Sequence, residues 1–179
     1  GMVTCVDKAN VFRSMAFFRK IFDERKGAFP GVDVSYNYVD AQALDLIRRP
    51  WDFDVLVMEN MFGDILSDLA GGLVGGMGMA SCAEVGDEHA LFQPAHGSAP
   101  DIMGQDKANP LAAILSGALM LDYLADRMGG HDGLADAATM IEDAVQRGFE
   151  ANRLRPMEFG GDMGTEAVTR EVIALIEGN

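Results

Sequence analysis

The sequence predicts an α/β protein. Three observations carry that reading. Apolar runs of strand length alternate with segments of helical periodicity over residues 3–74. One run, 53–58, is almost continuously apolar, as in a strand covered on both faces. Long helical segments then fill much of the second half.

Residues 3–7 read as a short strand. Asn10 is placed to cap a helix over 11–26, in which Phe12, Met15, Ala16, Phe18 and Phe22 recur at near-helical spacing. Pro30-Gly31 marks a turn. Within 32–39, Val32, Val34, Tyr36 and Tyr38 alternate as in a strand, and 40–49 is a helix that Pro50 ends. The strand at 53–58 leads into a helix over 62–74, broken by Gly75, Gly76 and Gly78. A domain boundary is expected near 75–78. Beyond it, 79–85 and 90–93 read as short strands about a Gly86-Asp87 turn. Helices over 110–128 and 134–152 follow, separated by Gly129-Gly130-His131-Asp132-Gly133. Thr165 is placed to cap a last helix to Glu177, with Thr169 inside it.

A chain of 179 residues can bury one good core or two small ones, and 49% hydrophobic with 23% charged residues describes a soluble globular protein. The net charge of −14 disfavours nucleic acid and anionic membranes, because no basic patch can release counterions. Acidity of this kind serves solubility or cation binding, and charge alone favours solubility. Cys5 and Cys82 are too few and too far apart for a disulfide framework or a zinc site. They fit a reduced, cytoplasmic compartment, with both thiols as small core residues. No stretch reaches the about 18 apolar residues of a membrane span. No signal peptide is expected, and Gly1-Met2 reads as a cleaved-tag remnant and start residue outside the fold.

Two segments concentrate polar chemistry. In Glu59-Asn60-Met61-Phe62-Gly63-Asp64-Ile65-Leu66-Ser67-Asp68, Asp64 and Asp68 stand at i and i+4 and share one helix face. Like charges that close repel unless a cation lies between them, and Mg²⁺ or Mn²⁺ takes oxygen ligands. A solvated helix face or a dipole interaction also accounts for the pair. The second segment runs His96-Gly97-Ser98-Ala99-Pro100-Asp101-Ile102-Met103-Gly104-Gln105-Asp106-Lys107-Ala108-Asn109-Pro110. It holds a His-Gly turn, an aspartate able to accept from ribose hydroxyls, and an Asn-Pro helix start. Taken singly, these are an ordinary turn and an ordinary acid. Lys8 alone reads as a surface lysine, and Asn10 and Asp40 as helix caps. No G-x-G-x-x-G occurs; Gly71-Gly72, Gly75-Gly76 and Gly78 read as sites of close helix packing.

Together these segments resemble the metal-dependent, NAD(P)-linked β-decarboxylating dehydrogenases, a family that includes isopropylmalate, isocitrate, homoisocitrate and tartrate/malate dehydrogenases. The likeness runs over nearly the whole chain. It implies an isopropylmalate-dehydrogenase-like three-layer α/β fold, of which this chain is the C-terminal portion only. Residues 1–78 would then belong to the metal, substrate and dimerisation domain, and 79–179 to the NAD-binding domain. The resemblance makes Asp64 and Asp68 ligands of Mg²⁺ or Mn²⁺. Asp40, in Tyr38-Val39-Asp40, joins them from the neighbouring subunit of a homodimer with a shared active site. Lys8, in Asp7-Lys8-Ala9-Asn10, matches a catalytic lysine able to relay a proton beside carboxylates and a metal, and Asp40 is grouped with it as catalytic. Asn10 matches a residue near the nicotinamide. His96, Gly97, Ser98, Ala99 and Ile102 fall on the adenosine-binding loop, and Asn109 lies by the adenine. Asp101 would accept from the ribose hydroxyls and repel a 2′-phosphate, which implies NAD; NADP users usually carry Lys-Tyr in place of Asp101-Ile102. The implied reaction oxidises a malate-type 2-hydroxy acid and then releases CO₂, with the metal as Lewis acid.

Members of that family are much longer. The implied missing part precedes Met2 and would supply an arginine cluster, a proton-returning tyrosine and further strands. Arg48-Arg49 and Arg153/Arg155 read instead as helix C-terminal charges. Gln93 stands where most relatives carry glutamate, and Ala41-Gln42 where isopropylmalate enzymes commonly have Asn-Ala. Trp51-Asp52-Phe53-Asp54 and Gly75-Gly76-Met77-Gly78-Met79 look closer to tartrate- and malate-type enzymes. Two other readings stand beside the enzyme: a dimerising fragment that binds cofactor or metal without turnover, and a non-catalytic subunit. Retention of Lys8, Asp40, Asp64 and Asp68 argues against the last, since such groups cost stability without a compensating partner. Unpaired strand edges and apolar surface are expected to make the chain associate.

Overall fold

The structure, a computed structural model, describes residues 1–178. They form two compact units, Gly1–Leu73 and the residues from Val74 onward. The first unit is built on a parallel sheet in the order β2-β1-β3, from β1 (Met2–Asp7), β2 (Asp33–Tyr38) and β3 (Val55–Val57). Parallel neighbours require crossovers. Helix α1 (Arg13–Lys26) carries the chain from β1 to β2, and α2 (Val39–Arg48) carries it from β2 towards β3. Helix α3 (Asn60–Leu73) packs against α2. The central strand β1 buries Thr4, Cys5, Val6 and Asp7. Val6, Leu46 and Leu66 form the centre of this core, with Val39, Leu56 and Leu69 packed around them.

Several expectations change in this unit. Met2 belongs to β1, where it pairs with Asp33 and donates its backbone N–H to Asp54 Oδ2 at 2.8 Å. Asn10 caps nothing: the Val11 and Phe12 N–H groups close a backbone turn on the Lys8 carbonyl at 3.0 and 2.9 Å. That turn delays α1 to Arg13 and puts Phe12 in the cap position without a side-chain bond. Asp40 is likewise not a cap, because α2 begins at Val39 with Tyr38 before it. Strand β3 is not covered on both faces. It pairs with β1 alone among the described residues, and its Val55 is 54% exposed. An apolar run reports strand character, whereas burial depends on which strands flank it.

The second unit opens with the antiparallel hairpin of β4 (Ser81–Val85) and β5 (Ala90–Pro94), closed by the Gly86 N–H on the His89 carbonyl at 2.8 Å. Helix α4 (Leu111–Arg127) packs on the hairpin and on α5 (Asp132–Glu150), and α5 packs on α6 (Thr165–Ile176). Leu111, Val145, Leu154, Val168, Val172 and Leu175 centre this core. Thr165 is the first residue of α6, not its cap, and its hydroxyl donates to the Ala108 carbonyl at 2.5 Å. Arg153 and Arg155 lie beyond the end of α5. They brace the connection to α6 through Glu171 (2.5 Å) and Asp162 (3.1 Å), and Arg155 also donates to the Asn152 carbonyl just past the end of α5 at 3.1 Å. The thiols differ as well: Cys5 is buried in β1, while Cys82 on β4 is half-buried. No helix among the described residues is long and apolar enough to cross a membrane.

Candidate functional site

The end of β1 delivers Asp7 and Lys8 to the first turn of α2. There the Lys8 ammonium pairs with the Asp40 carboxylate and lies 5.3 Å from the Tyr38 ring centre. The Lys8 hydrogen bond holds the Asp40 carboxyl below the ordinary aspartate range. Asp7, next to Lys8, is fully buried. It takes the Arg19 guanidinium at two points, 2.6 and 2.8 Å, and the Ala9 N–H at 2.9 Å. Arg19 in turn lies 5.2 and 5.5 Å from the Tyr36 and Tyr38 ring centres. A two-point charged pair sandwiched against aromatic rings is stiff, and it fixes the strand end that presents Lys8. Sequence reasoning did not single out this support. Its signal was a charged residue, Asp7, closing an apolar strand.

Asp64 and Asp68 are exposed one turn apart on α3. Met61 and Ile65 beside them are 59% and 57% exposed. Carboxylate oxygens at this spacing suit a hard divalent cation that keeps part of its water shell. Among the described residues no three His, Cys, Asp or Glu side chains gather for one ion. The chain therefore does not bring its own Asp40 to Asp64 and Asp68. Asn10 is exposed in the turn after β1.

In the second unit, the 96–110 segment leaves β5, passes through a 3-10 turn at Pro100–Ile102 and enters α4. His96 Nδ1 lies 2.9 Å from the Gly97 carbonyl oxygen, and Gln105 donates to the Asp101 carbonyl at 2.7 Å. The far end is tied to α6, where Asp106 Oδ1 accepts the Glu166 N–H at 2.9 Å. Gly164 permits this approach, because a Cβ there would collide with Asp106. Two grooves, of about 380 and 500 Å³, share the segment as a wall, and His96, Gly97, Ser98, Ala99, Ile102 and Lys107 line both. Asn109 lines the larger one. Asp101 is exposed in the 3-10 turn and lines neither.

Glu158 also lines the larger groove, and sequence reasoning missed it. Its Oε1 accepts the Gly78 N–H at 3.1 Å and its Oε2 accepts Asn109 Nδ2 at 2.9 Å. These partners lie 80 and 49 residues away, so no local pattern marks the contact. Asn109 Oδ1 meanwhile accepts the Leu111 N–H at 3.2 Å, at the start of α4. Gln93, the departure noted before the His-Gly turn, donates across the hairpin to Glu84 at 2.8 Å.

The isocitrate/isopropylmalate dehydrogenase family pattern matches residues 1–176. The 3-isopropylmalate dehydrogenase of Aquifex aeolicus is 43% identical over 175 residues, covering 98% of this chain and 47% of that protein. The isocitrate/homoisocitrate dehydrogenase of Thermus thermophilus is 46% identical, covering 95% of this chain and 48% of its own length. Among solved structures, the isocitrate dehydrogenase of Methylococcus capsulatus superposes with a TM-score of 0.82 at 38% identity, over 98% of this chain and 50% of that one. The chain thus spans about half the length of the curated relatives it matches. With the α/β fold, the family pattern and these identities in agreement, the chain belongs to the isocitrate/isopropylmalate dehydrogenase family.

Proposed function

We propose that this chain supplies the lysine, the metal-ligand and the adenosine-binding parts of an NAD- and Mg²⁺- or Mn²⁺-dependent dehydrogenase. The enzyme would oxidise a malate-type 2-hydroxy acid at C2, with hydride passing to the nicotinamide, and then release CO₂. The observation that carries this is the division of the acidic set. Lys8 and Asp40 form one pair, Asp64 and Asp68 another, and they do not meet within one chain. A homodimer in which Lys8 and Asp40 of one copy face Asp64 and Asp68 of the other completes the set. Apolar Met61 and Ile65, exposed beside the aspartates, support such a contact.

In this reading Lys8, placed by the Asp7–Arg19 pair behind it, takes the proton of the substrate hydroxyl as a neutral amine, having first released its own proton to solvent, a loss that a divalent cation held nearby would favour. Asp40, Asp64 and Asp68 would hold the cation, which when bound supplies Lewis-acid stabilisation of the negative charge that develops as CO₂ leaves. His96, Gly97, Ser98, Ala99 and Ile102 line the adenosine groove, Asn109 meets the adenine, and Asn10 serves the nicotinamide end. Asp101 disfavours a 2′-phosphate and so selects NAD. Residues 1–78 would serve metal, substrate and dimerisation, and 79–179 the cofactor; the two compact units support that assignment. Free Cys5 and Cys82 accord with a reduced, cytoplasmic setting. The relatives favour isopropylmalate, isocitrate or homoisocitrate as substrate, while the 51–54 and 75–79 segments keep tartrate and malate in view.

Because the chain spans about half of its relatives, a second reading is a dimerising fragment that binds cofactor and metal without turnover. One experiment addresses both: NADH formation by the purified chain with Mn²⁺ across malate, tartrate, isopropylmalate and isocitrate, with melting temperatures taken in NAD and Mn²⁺. Turnover establishes the first reading and names the substrate. Stabilisation without turnover supports the second. If neither ligand raises the melting temperature, both readings fail.

A further inference from the structure

The first unit holds a groove of about 290 Å³ that none of the candidate site residues lines. Val3 and Val34, register partners on β1 and β2, line it together with Phe22 of α1. Phe29 and Val32, in the connection from α1 to β2, complete the apolar lining, and Phe29 is 62% exposed. Backbone turns tie that connection down. The Ala28 and Phe29 N–H groups bond the Arg25 and Lys26 carbonyls at 3.0 Å, and the Val32 N–H bonds the Phe29 carbonyl at 3.1 Å. The lining is therefore formed before any ligand arrives, which spares a ligand much of the ordering cost of binding.

Two cations, Arg25 and Lys26, share the lining, and their situations differ. Lys26 Nζ donates to Asp23 at 2.6 Å and to the Tyr36 hydroxyl at 2.7 Å, so its charge is answered within the chain. The exposed Arg25 guanidinium makes no hydrogen bond, ion pair or ring contact among the described residues. Asp33 alternates with Val32 and Val34 and so falls on the other face of β2. Helix α1 carries Arg13, Arg19, Lys20, Arg25 and Lys26 against Asp23 and Glu24, in a chain of net charge −14. Within an acidic protein this helix is a local positive field, and its last two cations offset the negative end of the helix dipole.

We propose that this groove is a binding site for a small aliphatic monocarboxylate, with Arg25 as its anion contact. An apolar body on the valines and phenylalanines, with one carboxylate on the free guanidinium, satisfies both parts of the lining. A hydrocarbon leaves the guanidinium unused, and inorganic phosphate leaves the apolar lining in water. The site is separate from the reacting atoms. Val3 and Lys8 stand five residues apart along an extended strand and its end, a span of about 16 Å.

The test is ¹H–¹⁵N NMR titration of the chain with 4-methylpentanoate, its neutral amide 4-methylpentanamide, and acetate. The acid is expected to shift the Phe22, Phe29 and Val34 amide signals with a dissociation constant of about 1–10 mM, as suits so few atoms. The amide should bind about tenfold more weakly, for want of a charge-assisted bond to Arg25. Acetate, without an apolar body, should not saturate. Arg25→Gln should bring acid and amide to parity by weakening the acid alone, whereas Phe29→Ala should weaken both alike. The acid–amide comparison needs no variant, so it stands even where a substitution disturbs folding. Equal binding of acid and amide by the unmodified chain would reduce the groove to a non-selective apolar surface and overturn the proposal. Shifts centred on Lys8 and Asp40, or an acid preference that survives Arg25→Gln, would overturn it as well. So would the absence of saturation by 4-methylpentanoate at about ten times the expected constant. Failure of the cofactor and metal reading would leave all of these outcomes unchanged.

Discussion

Asp106 caps helix α6 from a loop 60 residues earlier in the chain, its Oδ1 accepting the Glu166 N–H at 2.9 Å. The same residue adopts a left-handed backbone, φ 52°, which aspartate and asparagine tolerate better than most side chains. One residue therefore both shapes the groove wall and satisfies a helix end. Asp106→Ala is expected to cost about 1–2 kcal/mol, through the lost cap together with the strained backbone. Asp106→Asn keeps an accepting oxygen and the tolerance for positive φ, and should cost less. Urea unfolding followed by circular dichroism checks the order; equal losses would mean that the cap contributes nothing.

The Asp7–Arg19 pair is the buried charge on which the Lys8 end of β1 rests. Arg19→Ala would strand a fully buried carboxylate, at a cost of about 3–5 kcal/mol. Arg19→Lys keeps the charge but not the two-point geometry, so its loss should be intermediate. Denaturant midpoints of the three chains measure this, and a near-neutral Arg19→Ala would refute the assigned role.

Lys8 depresses the Asp40 titration. With the folded value below the unfolded one, the stabilisation is present above the ordinary aspartate range. It is lost as pH falls through the folded value. Replacement Lys8→Met should move the Asp40 midpoint back up towards the ordinary value, as read by carboxyl ¹³C NMR. An unmoved midpoint would dissociate the pair.

Burial, reinforced by the Asp7 charge, pushes the Cys5 thiol up to about 11 from an ordinary value of 9.0. The unfolded chain gives up this proton near 9 while the folded chain keeps it to about 11. Stability is therefore intact below pH 9 and falls across that window. Urea midpoints across the window should fall less in Cys5→Val than in the unmodified chain. At pH 8 a thiol reagent should label Cys82 in the folded state and reach Cys5 only after unfolding.

Asp64→Asn removes one carboxylate of the pair on α3. Mn²⁺ at about 100 times its dissociation constant should stabilise the unmodified chain by about 2.7 kcal/mol. The variant should lose most of that gain in a melting experiment. Survival of the shift would place the cation elsewhere.

Local pattern was enough for much of this molecule. Strand–helix alternation, the shared face of Asp64 and Asp68, and the 96–110 segment opening onto α4 follow from periodicity and turn chemistry within a few residues. Tertiary structure decided what depends on distant neighbours. Strand β3 became an edge because β1 alone pairs with it among the described residues. Asn10 and Thr165 lost their capping roles, the first to a backbone turn after β1 and the second to Asp106. Arg19 reached Asp7, and Glu158 reached Gly78 and Asn109, only once helices and loops were stacked. A hydrogen bond needs its partners within about 3 Å, and sequence patterns constrain that distance for neighbours along the chain alone.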